Sequence, residues 1–183
     1  MGIPTLIKTL TASGDSSLSF VDGAASVVLD STYDEYMFVL TDMNGATDSQ
    51  QLQFQVNADG ESGYNETATT TFFAAKQEED ASNAGLNYKT AEDHAQTTTA
   101  IGITEGTSND ADASCAGILH LFNPASTTYV THFYSRFSNY HYDDGANDCF
   151  VAGYFNTTAA ITDIQFKYSS GNFDGVIQMY GIS

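Results

Sequence analysis

The chain has 183 residues, with 23 acidic against five basic side chains and a formal charge of -18. Such a balance offers no electrostatic footprint to nucleic acid or to an anionic membrane, so neither is an expected partner. No stretch approaches the roughly 18 apolar residues of a membrane span, and residues 1–10 hold one lysine and no long apolar run, so no export leader is expected. The length suits one domain over residues 1–183. With 11 Tyr and 12 Phe, no Trp and only 2 Pro, the composition favours strands over helices.

In chain order, residues 3–10, 17–21 and 26–29 read as strands. Residues 33–41 follow, with Tyr36, Phe38 and Leu40 on one side and Glu35, Met37 and Val39 on the other. Residues 50–57 carry the clearest period of two. Leu52, Phe54 and Val56 are expected inward, with Gln51, Gln53 and Gln55 outward. Between these runs stands Asn44-Gly45, a strong turn dipeptide, and the two are expected to pair antiparallel. Further strands are expected over 69–74, 98–103, 117–122, 128–137, 149–155, 161–168 and 175–181. The intervening 57–67, 76–97, 104–114 and 139–148 read as long acidic loops, and only 78–90 has room for a helical turn. Many short strands between turns predict an all-β, antiparallel β-sandwich, with a jelly roll as the specific form.

No catalytic motif stands out, so the reading is non-enzymatic and needs no cofactor. The acidic groups Asp143-Asp144 with Asp148, Asn109-Asp110 with Asp112, and Asn57 with Asp59 have the side chains that calcium uses. None has the spacing of a calcium loop, so solvated loops are the better reading and no metal is expected. His94, His120, His132 and His141 have no zinc-binding frame and read as core or interface residues. Cys115 and Cys149 could bridge; without an export leader, two buried thiols are the expectation.

The strongest local signal is aromatic. Within 128–137, Tyr129, Phe133 and Phe137 are expected to share the core face, and Val130, His132, Tyr134 and Arg136 the other. Tyr134, Arg136, Tyr140 and Tyr142 together have the composition of a contact hot spot, with a sugar platform as the alternative.

Several segments carry a resemblance to a known family. They include Phe20-Val21-Asp22-Gly23 with Asp30-Ser31-Thr32-Tyr33-Asp34-Glu35-Tyr36, Leu119-His120-Leu121-Phe122-Asn123-Pro124, Gly153-Tyr154-Phe155-Asn156 and Ser170-Gly171-Asn172-Phe173-Asp174-Gly175. Across residues 18–182 the chain resembles virion structural proteins of tailed bacteriophages, marine phages especially. The resemblance implies a particle component assembled in the host cytoplasm and carries no site residues with it. Head decoration is the expected role, with self-association as a homotrimer and the major capsid protein or another virion protein as partner. A tail or fibre adhesin for host surface glycan is the alternative, and a free carbohydrate-binding module ranks third.

Overall fold

Alternation becomes structure most directly at residues 52–58. Leu52, Phe54 and Val56 are all fully buried, and their outward neighbours are glutamines. A computed structural model describes residues 2–183, and among them every regular element is a strand. In order these are β1 (Thr5–Asp15), β2 (Leu18–Val21), β3 (Glu35–Gly45), β4 (Leu52–Ala58), β5 (Ala68–Glu78), β6 (Ala84–Tyr88) and β7 (Ala95–Thr97). There follow β8 (Ile101–Gly102), β9 (Cys115–Phe122), β10 (Thr131–His141), β11 (Gly145–Phe155), β12 (Ile161–Tyr168) and β13 (Phe173–Ile182).

Two antiparallel sheets pack face to face. The large one has nine strands in the order β1-β13-β3-β9-β10-β11-β5-β6, with β7 also on β5; the small one runs β2-β12-β4-β8. The core between them is aromatic. Phe54 of the small sheet meets Phe133 of the large one edge-on, with ring centroids 5.0 Å apart. Phe38 of the large sheet meets Phe20 at 5.4 Å and Phe166 at 5.5 Å, both from the small sheet. The expected antiparallel sandwich is therefore present. Its division into nine and four strands differs from the paired four-stranded sheets by which a jelly roll is recognised.

Several local expectations are corrected. The runs 33–41 and 50–57 do not pair, because β3 lies in the large sheet and β4 in the small one. Asn44-Gly45 is strand rather than turn. Asn44 spends its amide on the carbonyls of Ala113 (2.6 Å) and Asp110 (3.2 Å). Gly45 lets the Tyr168 ring approach so closely that a Cβ would lie 2.8 Å from it. Residues 26–29 form no strand; left-handed Ala25 and Ser26 turn the chain, while Val27 and Leu29 still reach the core. The stretch proposed for a helical turn contains β6. The supposed loop 139–148 is the β10–β11 hairpin, with Asn139, His141 and Asn147 buried.

The long free edge at β1 is interrupted. Register slips between Leu6 and Lys8, and Lys8 then stands opposite buried Met179 and donates to the Ala25 carbonyl at 2.9 Å. A bulge and an inward-turned lysine are devices that stop a further strand from adding to an edge.

Candidate partner-binding face

The large sheet buries one face, and its other face is free of any covering layer. Period-two geometry therefore lifts every second residue of the eight strands along its main path onto one surface. Antiparallel register aligns them into rows. One row crosses the sheet through Leu6, Tyr180, Met37, His120, Tyr134 and Ala152. The next runs through Val39, Ile118, Arg136, Phe150, Phe73 and Tyr88.

Aromatic side chains interlock along these rows. The His120 ring stacks on Tyr134 with centroids 4.6 Å apart, and Phe122 leans on the same tyrosine at 5.5 Å. Phe150 and Phe73 stack in parallel at 4.9 Å. Arg136 lies over Phe150, its guanidinium carbon 4.9 Å from the ring centre. It also grips Asp148 with two donors, at 3.0 and 2.7 Å. That carboxylate raises the Arg136 pKa further above its ordinary value. Bidentate pairing and stacking lock a side chain that would otherwise be mobile. The two acids within this aromatic region are both engaged, Asp148 by Arg136 and Glu35 by His120. The result is a rigid, charge-compensated surface on a protein whose remaining acid is concentrated in loops. Tyr134, at 46% exposed, stands at its centre beside a groove of about 740 Å³ between β5, β9, β10 and β11.

Of the four residues singled out by sequence, Tyr134 and Arg136 share this groove, and Tyr140 lies at its end of β10 beside Ser138 and Ala146. The Tyr140 hydroxyl donates to Asp144 at 3.1 Å, which raises its pKa. Tyr142 is not on the face. The strand ends at His141, and Tyr142 turns to pack on the His141 ring at 4.2 Å, in a separate polar pocket with Glu92 and Glu105. Tyr129 does not share the core face with Phe133 and Phe137; it precedes β10 and is 72% exposed. His120, Phe122, Phe150, Phe73 and Tyr154 belong to the face and were missed. Their signal lay in the alternation of β5, β9 and β11, and only the register places it around β10.

The acidic clusters diverge into separate contacts. Asp148 serves Arg136, Asp144 serves Tyr140 and Asp143 serves Lys76. Among the described residues no group of three or more histidine, cysteine or acidic side chains converges to hold a metal ion. His120 and His132 both stand on the outer face rather than in the core, and His132 packs against Tyr154 at 5.9 Å. Cys115 and Cys149 are free and buried. They sit on β9 and β11, the two strands flanking β10. That places their backbones about two strand spacings, roughly 10 Å, apart, beyond the reach of a disulfide.

No protein-family model matches the chain, and comparison with curated proteins and with solved structures found no match.

Proposed function

We propose that the chain is a non-enzymatic virion surface protein, a head decoration protein that holds neighbouring capsid subunits through the outer face of its large sheet. The observation that carries this reading is the apolar, aromatic-rich surface that runs from Leu6 through Tyr134 in one row and to Tyr88 in the next, exposed yet braced by ring stacking. Rigid aromatics and a locked arginine are the residue types that dominate contact energies. Leu6 of the N-terminal strand and Tyr134 share a row, so both ends of the sheet can contribute to one contact surface. The resemblance to tailed-phage virion proteins supplies the partner class. The loop-borne acid suits the exterior of a shell crowded with like-charged copies. Assembly as a homotrimer is part of the proposal, because single β modules on icosahedral shells can occupy local three-fold positions.

Imaging of the intact particle tests it. Hundreds of copies on the shell, with the β9–β10–β11 face against capsid, are the expected result. A handful of copies at the tail would replace the proposal with the adhesin reading, and absence from the particle would end both.

A further inference from the structure

The small sheet presents a different chemistry on the opposite side of the sandwich. Gln53 stands across from Lys167 in the β4–β12 ladder, and Gln55 across from Gln165. Gln55 is outward by parity yet only 2% exposed. Its amide nitrogen donates to the carbonyls of Glu66 (3.0 Å), Thr98 (3.3 Å) and Thr99 (3.1 Å), and its oxygen accepts from the Val56 N–H at 2.9 Å. One side chain thereby fixes two loops along the borders of the sheet. Between them runs a groove of about 420 Å³, with Gln53, Tyr64, Asn65, Thr98 and Lys167 among its walls. Tyr64 is held there in a left-handed conformation (φ 51°), its N–H donating to Asn57 Oδ1 at 2.6 Å.

The charge pattern of this groove departs from that of the rest of the chain. None of the 23 acidic residues lines it. Lys76, Lys89 and Arg136 are each paired with carboxylates, and Lys8 donates to a carbonyl. Lys167 is partly buried and, among the described residues, has neither an ion pair nor a hydrogen bond. Among the described residues it is the one lysine or arginine side chain left without an acceptor, and so the one free to meet an anion.

We infer that this groove binds an oligosaccharide bearing a carboxylate, such as one built of uronic acid units. The ammonium of Lys167 meets the carboxylate. The side-chain amides and hydroxyls of Gln53, Asn65 and Thr98 serve ring hydroxyls, and Tyr64 supplies an aromatic wall. Amide and hydroxyl side chains, Gln53, Asn65, Thr98, Thr99 and Gln165, dominate the lining, which sets saccharide ahead of acidic peptide. This site lies on the opposite side of the sandwich from the aromatic face and does not rest on the decoration role.

The test is calorimetric titration of the intact protein with oligogalacturonate and with its methyl ester. Salt is set at 0.15 M, where long-range repulsion is screened beyond about 8 Å. Oligogalacturonate is expected to bind, with the ester weaker by about tenfold or more, the usual weight of one charged hydrogen bond. Lys167→Met should weaken oligogalacturonate by a similar factor at unchanged thermal midpoint, and Arg136→Ala, on the other face, should leave it unchanged. Failure to bind at millimolar sugar, equal binding of the ester, or full retention by Lys167→Met would overturn the inference. So would oligoglutamate binding as tightly as the sugar, which would show that charge alone is read.

Discussion

Replacing Phe54 with alanine tests the way the two sheets are held together. Its side chain is fully buried, with rings of Phe133 at 5.0 Å, Phe155 at 6.0 Å and Phe166 at 6.3 Å. The first two belong to the large sheet and the third is its ladder neighbour in the small one. Removing a buried phenylalanine costs about 3–5 kcal/mol. Edge-on ring pairs add roughly 0.5–1.5 kcal/mol beyond area, and three rings lose their partner at once. The expected loss therefore falls at the upper end, about 5 kcal/mol, against a total of about 5–15 kcal/mol for a domain. At about 2–4 °C per kcal/mol for a chain of this size, the midpoint should drop by roughly 10–20 °C. Urea unfolding followed by tyrosine fluorescence suits a chain with 11 Tyr and no Trp. The urea midpoint should fall with an unchanged m-value. Gln53→Ala, one residue away and on the outer face, should move stability by no more than about 0.5 kcal/mol. A loss below about 2 kcal/mol at Phe54 would refute the account of a core built on interlocked rings.

Three further outcomes are expected. If the aromatic face carries attachment, the protein should stay on particles through about 1 M salt, where the screening length is roughly 3 Å; release at moderate salt would make the acidic loops the binding surface. Burial pushes the thiols of Cys115 and Cys149 up to about 12, so neither should react with a thiol reagent at pH 8 until the chain unfolds, when two equivalents should appear at once. Burial chiefly, with Lys76 and Lys89 contributing, lowers the pKa of His141 below 6.5; the unfolded chain then binds the proton first, so stability should fall as pH drops below about 6.5, and His141→Gln should make the decline shallower.

The parts of the fold legible in sequence were those where one face is buried. At 52–56 and 133–137 the alternation is strict, because a one-residue slip would put phenylalanine in water. Legibility failed where polar residues point inward. Asn139, His141 and Asn147 made a buried hairpin look like a solvated loop, since partners for buried amides come from elsewhere, as Glu105 does for Asn147 at 2.8 Å. Asn44-Gly45 misled for a related reason. The glycine answers a close approach by Tyr168, a contact between distant parts of the chain that no local rule contains. The candidate face was half legible. Tyr134 and Arg136 announced themselves within one strand, whereas His120, Phe150 and Phe73 join them only through cross-strand register. Tyr142 fell away because parity says nothing about where a strand stops.

The interrupted edge at β1 bears on what happens when copies meet. A bare sheet margin is a template: chains lined up side by side would extend one another's hydrogen bonding and fuse into ribbons. Here the eleven-residue margin slips register near its start and turns Lys8 inward to the Ala25 carbonyl. Copies can therefore be brought shoulder to shoulder, at local concentrations that would gel an unguarded sheet, and remain separate particles. Leu6→Val with Lys8→Val, which makes that margin apolar, should lead the protein to form fibrils on standing, while the parent chain under the same conditions should not.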